Sequence, residues 1–528
     1  MTTTAIPKPP ESLPALPEMG DKTRLGLSVL GAAFILGVWG DLSLRQTPWG
    51  LNISLWITFL FSFLVLLARR WNNNPSKDTR WLTLLAIPFA AGFAWRDSDF
   101  LTFLNVVAVL TALTLLTMRS QAIPLRVAGF VKYLWGAVFT ALNAIAGVFP
   151  LLFIKIKWDE IQSEGWSKKA LPIGRGILIA LPIVLLFGAL LMAADAVFEG
   201  MVKKIINIEI AEEILKHLFF TGLGTWIAGG IFHGIFFSKE IRLPENPLSR
   251  SLVIGNTETT IALGLLNLLF LGFVLVQFRY LFGGANLVEV TSGLTYAEYA
   301  RRGFFELVAV AGLVLPLLLG WHWLLPKENP KSKKLFQVLA GAMIVLLFVI
   351  MVSAVKRMRL YQSEYGLTEQ RLYATAFMGW LAAVFVWFAL TVLRNRRERF
   401  MFGAVVTGFV AIFALQVINP ENLIVRTNVS LAQTGKDFDV DYAATLSDDA
   451  LPAIVGALPF LKEAEQKKVF DRVIAPRLAS SQKSDWRTWS WSRYQAEKVL
   501  AEYRTPFENI MKSWNYENSP ILGFSTAF

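Results

Sequence analysis

Long apolar runs govern what this chain can fold into. Stretches suited to crossing a bilayer sit at about 25–44, 49–68, 81–95, 99–118, 176–197, 216–237, 258–282, 303–325, 335–355, 372–393 and 400–419. A membrane interior offers no water to backbone amides, so such runs fold as helices that satisfy their own hydrogen bonds. The third run is short and holds Pro88, which fits a kinked span. The expected fold is all-α: a polytopic bundle of about eleven spans over residues 25–419, with a C-terminal helical extramembrane domain at 420–528. Residues 1–24 are polar and rich in proline, lack a signal-peptide pattern, and read as a disordered cytoplasmic arm before an uncleaved anchor.

Composition supports lipid as the solvent. Only 17% of residues are charged, against about 25% in soluble domains, and mean hydropathy is +0.49. The 40 Phe and 18 Trp suit lipid contact and interfacial belts. With no cysteine in the chain, disulfides, thiolate catalysis and Cys-ligated metals are excluded.

The net charge of +12 is located in the membrane part. The tail from Pro420 onward holds 13 Lys and Arg against 14 Asp and Glu, leaving 38 of the 51 basic and 25 of the 39 acidic residues before it. Charge beside spans sets topology and meets anionic lipid, so nucleic acid is not an expected partner. The run 133–154 is apolar enough to span. If it stays on one side, about 26 basic residues fall in loops on the N-terminal side against about 10 on the other. Counting it as a span spoils that bias. The expectation is therefore an interfacial or re-entrant segment, with the N-terminus cytoplasmic and the tail outside.

Within the tail, 462–478 and 494–510 mix polar and apolar residues at helical spacing, and Asn419-Pro420 ends the last span. Trp486, Trp489 and Trp491 suit either a core or a membrane-facing belt. Core is the preferred reading, because short helical domains need bulky anchors.

Two outer hairpins hold the residues richest in chemistry. A weak repeat links them: Gly293-Leu294-Thr295 with Tyr299-Ala300 in one, Gly366-Leu367-Thr368 with Tyr373-Ala374 in the other. In the first, Thr295 and Glu298 have capping-box spacing, and Tyr299, Arg302 and Glu306 then share a helix face. Either Arg302 and Glu306 are a structural pair, or Arg302 meets an anionic group while Glu306 holds it. The second hairpin sets Lys356, Arg357, Arg359 and Arg371 among Tyr361, Tyr365 and Tyr373, against the positive-inside rule. Forked donors beside phenols suit phosphate or carboxylate. The alternative is internal pairing with Glu298, Glu306, Glu364 and Glu369. The candidate anion-binding set is Tyr299, Arg302, Glu306, Arg357, Arg359, Tyr361, Arg371 and Tyr373.

Elsewhere Asp195 reads as a helix cap, and Asn267 and Gln277 as helix–helix hydrogen bonders. His217, His233 and His322 lack zincin spacing and read as packed polar residues, and the sequence implies no metal or other cofactor. Phosphate-loop and nucleophile-elbow patterns are also missing, so no catalytic residue is assigned.

The stretches LGLLNLLFLGFVLVQFRYLFGG (263–284), GLTYAEYARRGFFEL (293–307) and RLYQSEYGLTEQRLYATAF (359–377) resemble a bacterial family of multi-pass membrane proteins labelled domain of unknown function 4153/4173. NPENLIVRTNVSLAQTGKDFDVDYAATLSDDALPAI, at the start of the tail, fits as well. Tyr296, Glu298, Tyr299, Arg301, Arg302, Tyr361, Tyr365, Arg371 and Tyr373 fall on that family's hallmark positions. The resemblance extends from about residue 175 onward and implies a bacterial plasma-membrane protein with no particular reaction. Three function classes follow. One binds or transports an anionic envelope substrate or lipid-linked ligand at the outer arginines. The second is a sensor or scaffold whose tail meets an envelope partner. The third is a membrane transferase using outer carboxylates.

Overall fold

The computed structural model describes residues 20–71, 77–160, 208–237, 254–282, 304–326, 329–480 and 485–513, with scattered helical residues between 180 and 201. Among the described residues there is helix and no strand. The membrane part comprises α1 (Asp21–Leu44), α2 (Leu51–Arg70), α3 (Lys77–Trp95), α4 (Asp99–Ser120), α5 (Phe130–Ala146), α6 (Val148–Lys155), α7 (Ile208–Phe236), α8 (Asn256–Phe282), α9 (Phe304–Leu324), α10 (Pro330–Tyr365), α11 (Glu369–Thr391) and α12 (Phe400–Ile418). The tail adds α13 (Pro420–Ala432), α14 (Val440–Ala443), α15 (Leu451–Ala457), α16 (Glu463–Val469, continued to Ser480) and α17 (Trp491–Ser513).

Nine helices among the described residues are long and apolar enough to cross a membrane, or ten if α5 and α6 make one broken span. Two of the eleven expected spans are not among the nine. The third run forms a helix around Pro88, but its apolar part, Trp81–Trp95, is shorter than a span. The fifth, 176–197, lies mostly outside the described residues. The stretch 133–154 breaks at Gly147, and α5 and α6 meet at a 57° bend.

The chain divides into two compact units. The first contains residues 1–45, 59–76 and 138–239; the second contains 46–58, 77–137 and 240–528. In the first, α1 crosses α7 at glycines. A Cβ on Gly37 would meet the Thr221 carbonyl at 2.4 Å, and one on Gly224 would meet Gly37 Cα at 2.9 Å. Small residues at a crossing let two backbones approach, which is how membrane helices gain contact without a hydrophobic drive between them.

In the second unit, α8 to α11 bury Ala311, Leu318, Met343, Leu347, Phe385 and Phe388 together. Asn267 Nδ2 donates to the Leu339 carbonyl at 3.0 Å, and Gln277 Oε1 accepts from Ser353 Oγ at 3.0 Å. Both are helix–helix bonds of the expected kind. The tail core gathers Ile424, Val425, Leu451, Ile454, Val469, Val473 and Leu500. It shares Leu367 and Leu372, from the α10–α11 turn, with the membrane part.

Asn419 ends α12 with φ 53° and caps α13 by accepting the Asn422 N–H at 3.2 Å. The tryptophan cluster corrects the core reading: Trp486, Trp489 and Trp491 are 56%, 39% and 45% exposed. Trp491 instead borders a crevice of about 440 Å³ with Leu51 and Leu55 of α2 and Ile87 of α3. A half-exposed indole beside an apolar crevice suits an interfacial belt better than a core.

Candidate functional site

Residues 96–98 form a three-residue corner between α3 and α4, and both flanking helices leave backbone groups to be satisfied there. The tail supplies the partners. Asp449, from the turn before α15, accepts the N–H of Asp97 at 2.7 Å and of Ser98 at 3.1 Å through Oδ2. Its Oδ1 accepts from Arg96 Nη1 at 3.3 Å and from the Ser492 hydroxyl. The Asp449 side chain is only 1% exposed, so its charge depends on these donors. Arg96 Nε also donates to the Gln416 carbonyl at 2.8 Å. Arg493 of α17 pairs with Asp97 and reaches the Trp49 carbonyl, and Leu51 N–H donates to the Trp489 carbonyl at 2.8 Å.

Carboxylates crowd this clamp. Burial pushes the Asp97 carboxyl up to about 6; the Arg493 guanidinium opposes that, and Asp448 and Asp449 reinforce it. Burial pushes Glu421 up to about 7, against the Ser447 hydroxyl bond and with help from the Asp449 and Glu369 charges. Ser447 N–H and Oγ both donate to Glu421 Oε2 at 2.7 Å. Arg477 holds Asp448 at 2.9 Å and the Leu446 carbonyl at 2.8 Å.

Of the hairpin residues, Tyr299 and Arg302 lie outside the described residues, as does Glu298. Glu306 is exposed in the first turn of α9. Arg357 donates to Gln277 Oε1 at 2.6 Å, and Arg359 is exposed. Arg371 lies over the Tyr361 ring at 4.1 Å and donates to the Tyr365 and Gly366 carbonyls at 3.1 and 2.6 Å. Tyr361 in turn packs on Tyr365, with ring centroids 5.0 Å apart. Arg371 therefore finishes the end of α10, through carbonyls that a helix C-terminus leaves bare. Glu364 pairs with Lys436 of the tail at 3.0 Å. Tyr373 packs on Phe100 at 4.1 Å, with its hydroxyl 3.4 Å from Ser98 Oγ. The second hairpin thus brings Tyr361, Tyr365 and Arg371 together and turns Tyr373 toward the corner. Asp195 Oδ1 accepts the N–H groups of Val197 and Phe198 at 2.7 and 2.9 Å, which is a cap.

Beside the clamp, a groove of about 710 Å³ runs along α12, walled by α4, α9 and α11. Phe100, Tyr373 and Ile418 line one end, and Phe130, Phe400 and Met401 the other. Its floor follows from sequence. Ala404, Gly408 and Ala411 stand at i, i+4 and i+7 on α12, so one helix face carries almost no side chain. The Trp380 indole N–H, with no acceptor among the described residues, borders that trough. From Phe400 to Ile418 the groove follows roughly 27 Å of helix, close to the thickness of a bilayer's hydrocarbon core.

Residues 83–457 match the family model described as Domain of unknown function (DUF4153). The chain belongs to this family. No curated protein and no solved structure matches it. The DUF4153 match begins within α3, earlier than the resemblance near residue 175 implied, and ends with α15. It therefore includes the corner 96–98, the second hairpin, the groove and Asp449.

Sequence reasoning missed the clamp. Its signal was Arg96-Asp97-Ser98-Asp99, three charges in four residues between two apolar runs, answered by Ser447-Asp448-Asp449 in the tail. A second omission lies in the first unit. Asp41, at the end of α1, is only 4% exposed and pairs with His217, while Arg45 holds Glu213 at 2.7 Å. His217 thus belongs to an ionic cluster. His233 fits the packed-polar reading, with Nδ1 3.0 Å from Asn143 Oδ1. Among the described residues no group of three metal-ligating side chains converges.

Proposed function

We propose that this DUF4153 protein binds an amphiphilic, lipid-class ligand in the bacterial plasma membrane, with the hydrocarbon lying in the groove along α12. The observation that carries the reading is the groove: about 710 Å³, almost wholly apolar, and as long as the hydrocarbon core it would stand in. Arg371 and Arg357 are engaged by carbonyls and Gln277, so this reading places no anionic group on them. Topology follows the charge bias, with the N-terminus cytoplasmic and the tail outside. The test is lipid retention. Protein purified in mild detergent should carry lipid, and Ala404→Phe, which fills the trough, should strip it at unchanged thermal stability. Equal retention by both proteins would end the groove reading.

A second reading has the tail receive an envelope protein. The observation favouring it is the tail's exposed apolar surface, with Phe460 61% and Trp486 56% exposed. Crosslinking in intact cells from positions 460 and 486 tests it. Crosslinks to lipid alone would reduce the tail to a membrane-resting cap.

A further inference from the structure

Resting on the groove reading, we infer that the ligand is an anionic phospholipid whose phosphate sits at the Phe130–Phe400 end, against Arg126 and Arg399. In a bilayer, a hydrocarbon chain gains no hydrophobic energy on leaving its neighbours for an apolar trough, because lipid tails are as apolar as the helices. The trough supplies shape, and discrimination has to come from charge at its ends.

The two ends differ in sign. At the Phe100–Tyr373 end stand Asp99, next to Phe100, and Glu369, one turn before Tyr373. Behind them the clamp's arginines are already engaged, Arg96 with Asp449 and Arg493 with Asp97. A phosphate there meets like charge. At the other end, the turn Leu125–Val127 packs against the turn Arg397–Arg399 and against the start of α12. That juxtaposition sets the turn carrying Arg126 against the turn carrying Arg399, with Lys132, Arg394 and Arg396 in the flanking segments and Glu398 among them. Arg126, Lys132, Arg394, Arg396 and Arg399 are all exposed, and none has an ion-pair partner among the described residues. Arg397 is turned inward, its Nη1 3.4 Å from His322 Nδ1. Arg399 immediately precedes Phe400, and Lys132 follows Phe130 by two residues, so the charges cap the trough itself. This is also the end that the charge bias assigns to the cytoplasm, where the leaflet is rich in anionic lipid.

The experiment uses the full chain in phosphatidylcholine bilayers containing a minority of phosphatidylglycerol. Both lipids carry a photoactivatable group on the acyl chain. Crosslinks should map to 400–418, with phosphatidylglycerol enriched over its bulk share. Arg126→Gln with Arg399→Gln should lower that enrichment by about tenfold or more while leaving phosphatidylcholine crosslinks in place. Crosslinks at 400–418 in bulk proportion would overturn the anionic assignment and leave the groove reading standing. Crosslinks spread over other helices with none at 400–418 would remove both. Neither outcome depends on a variant folding, because both are read on the unmodified protein.

Discussion

The N–H of Asp97 donates to the carboxylate of Asp449 at 2.7 Å, joining two positions 352 residues apart. The bond ties a short corner between α3 and α4 to the tail, and it is one of several that converge on a single buried carboxylate.

Removing that carboxylate leaves Arg96 Nη1 and the amides of Asp97 and Ser98 without their acceptor. Asp449→Ala should destabilise the second unit by about 3–5 kcal/mol, the range for breaking a buried ion pair from one side. Asp449→Asn keeps one acceptor oxygen and should cost less. Thermal unfolding followed by tryptophan fluorescence, with limited proteolysis of the tail, checks this. Wild-type stability in Asp449→Ala would make the clamp ornamental.

The clamp also sets a pH dependence. Glu421 and Asp97 hold their protons to about pH 7 and 6 in the folded protein, above their unfolded values. Between about pH 4 and 7 the folded state therefore binds more protons than the unfolded chain, and stability falls as pH rises through that window. Each group accounts for up to roughly 3 kcal/mol, at about 1.4 kcal/mol per unit. The midpoint of unfolding should drop from pH 5 to pH 8, and Glu421→Gln should flatten the slope. A midpoint that climbs with pH contradicts the assignment.

At the α10–α11 turn, Gly366 has φ 74° and ψ −179°, a region open essentially to glycine. A Cβ there would also meet Asn428 Oδ1 at 2.7 Å, the atom that accepts the Leu367 N–H at 2.6 Å. Gly366→Ala should cost about 1–3 kcal/mol. Asn428→Ala should fall in the same range, through loss of both bonds to Leu367. A melt of the purified variants decides it, and an unshifted Gly366→Ala would refute the strain argument.

Because the chain has no cysteine, single cysteines report topology directly. Ser363→Cys and Asp437→Cys, both exposed and near the tail, should react with an impermeant maleimide from the same side. Arg126→Cys and Arg396→Cys should react only after the opposite side is opened. Labelling of positions 363 and 396 from one face would break the alternation of spans.

Much of this architecture was legible in the sequence because lipid imposes a simple rule. A run such as 335–355 must be a helix, and it is the centre of α10. Asn419-Pro420 ended the last span as expected, since proline restricts the residue before it. Trp486, Trp489 and Trp491 were misjudged because bulk alone does not separate a core from an interface; their neighbours do. The clamp was missed for a similar reason. Asp97 and Asp449 look like ordinary turn carboxylates until folding brings them together, and pairing over 352 residues leaves no local pattern. The groove was hidden differently: Ala404, Gly408 and Ala411 are unremarkable in a membrane helix, and only the neighbouring helices turn their missing bulk into a trough.

The clamp bears on how the molecule is made at the ribosome. The corner at 96–98 is made early in synthesis, yet its partners at 449 and 492 emerge some 350 and 400 residues later. At roughly 5–20 residues per second, that interval lasts about 20–80 s. During it, Arg96 and the two amides must rely on interfacial water, and the hairpin of α3 and α4 is held by its helix contacts alone. A nascent chain that stalls before residue 449 never closes the corner.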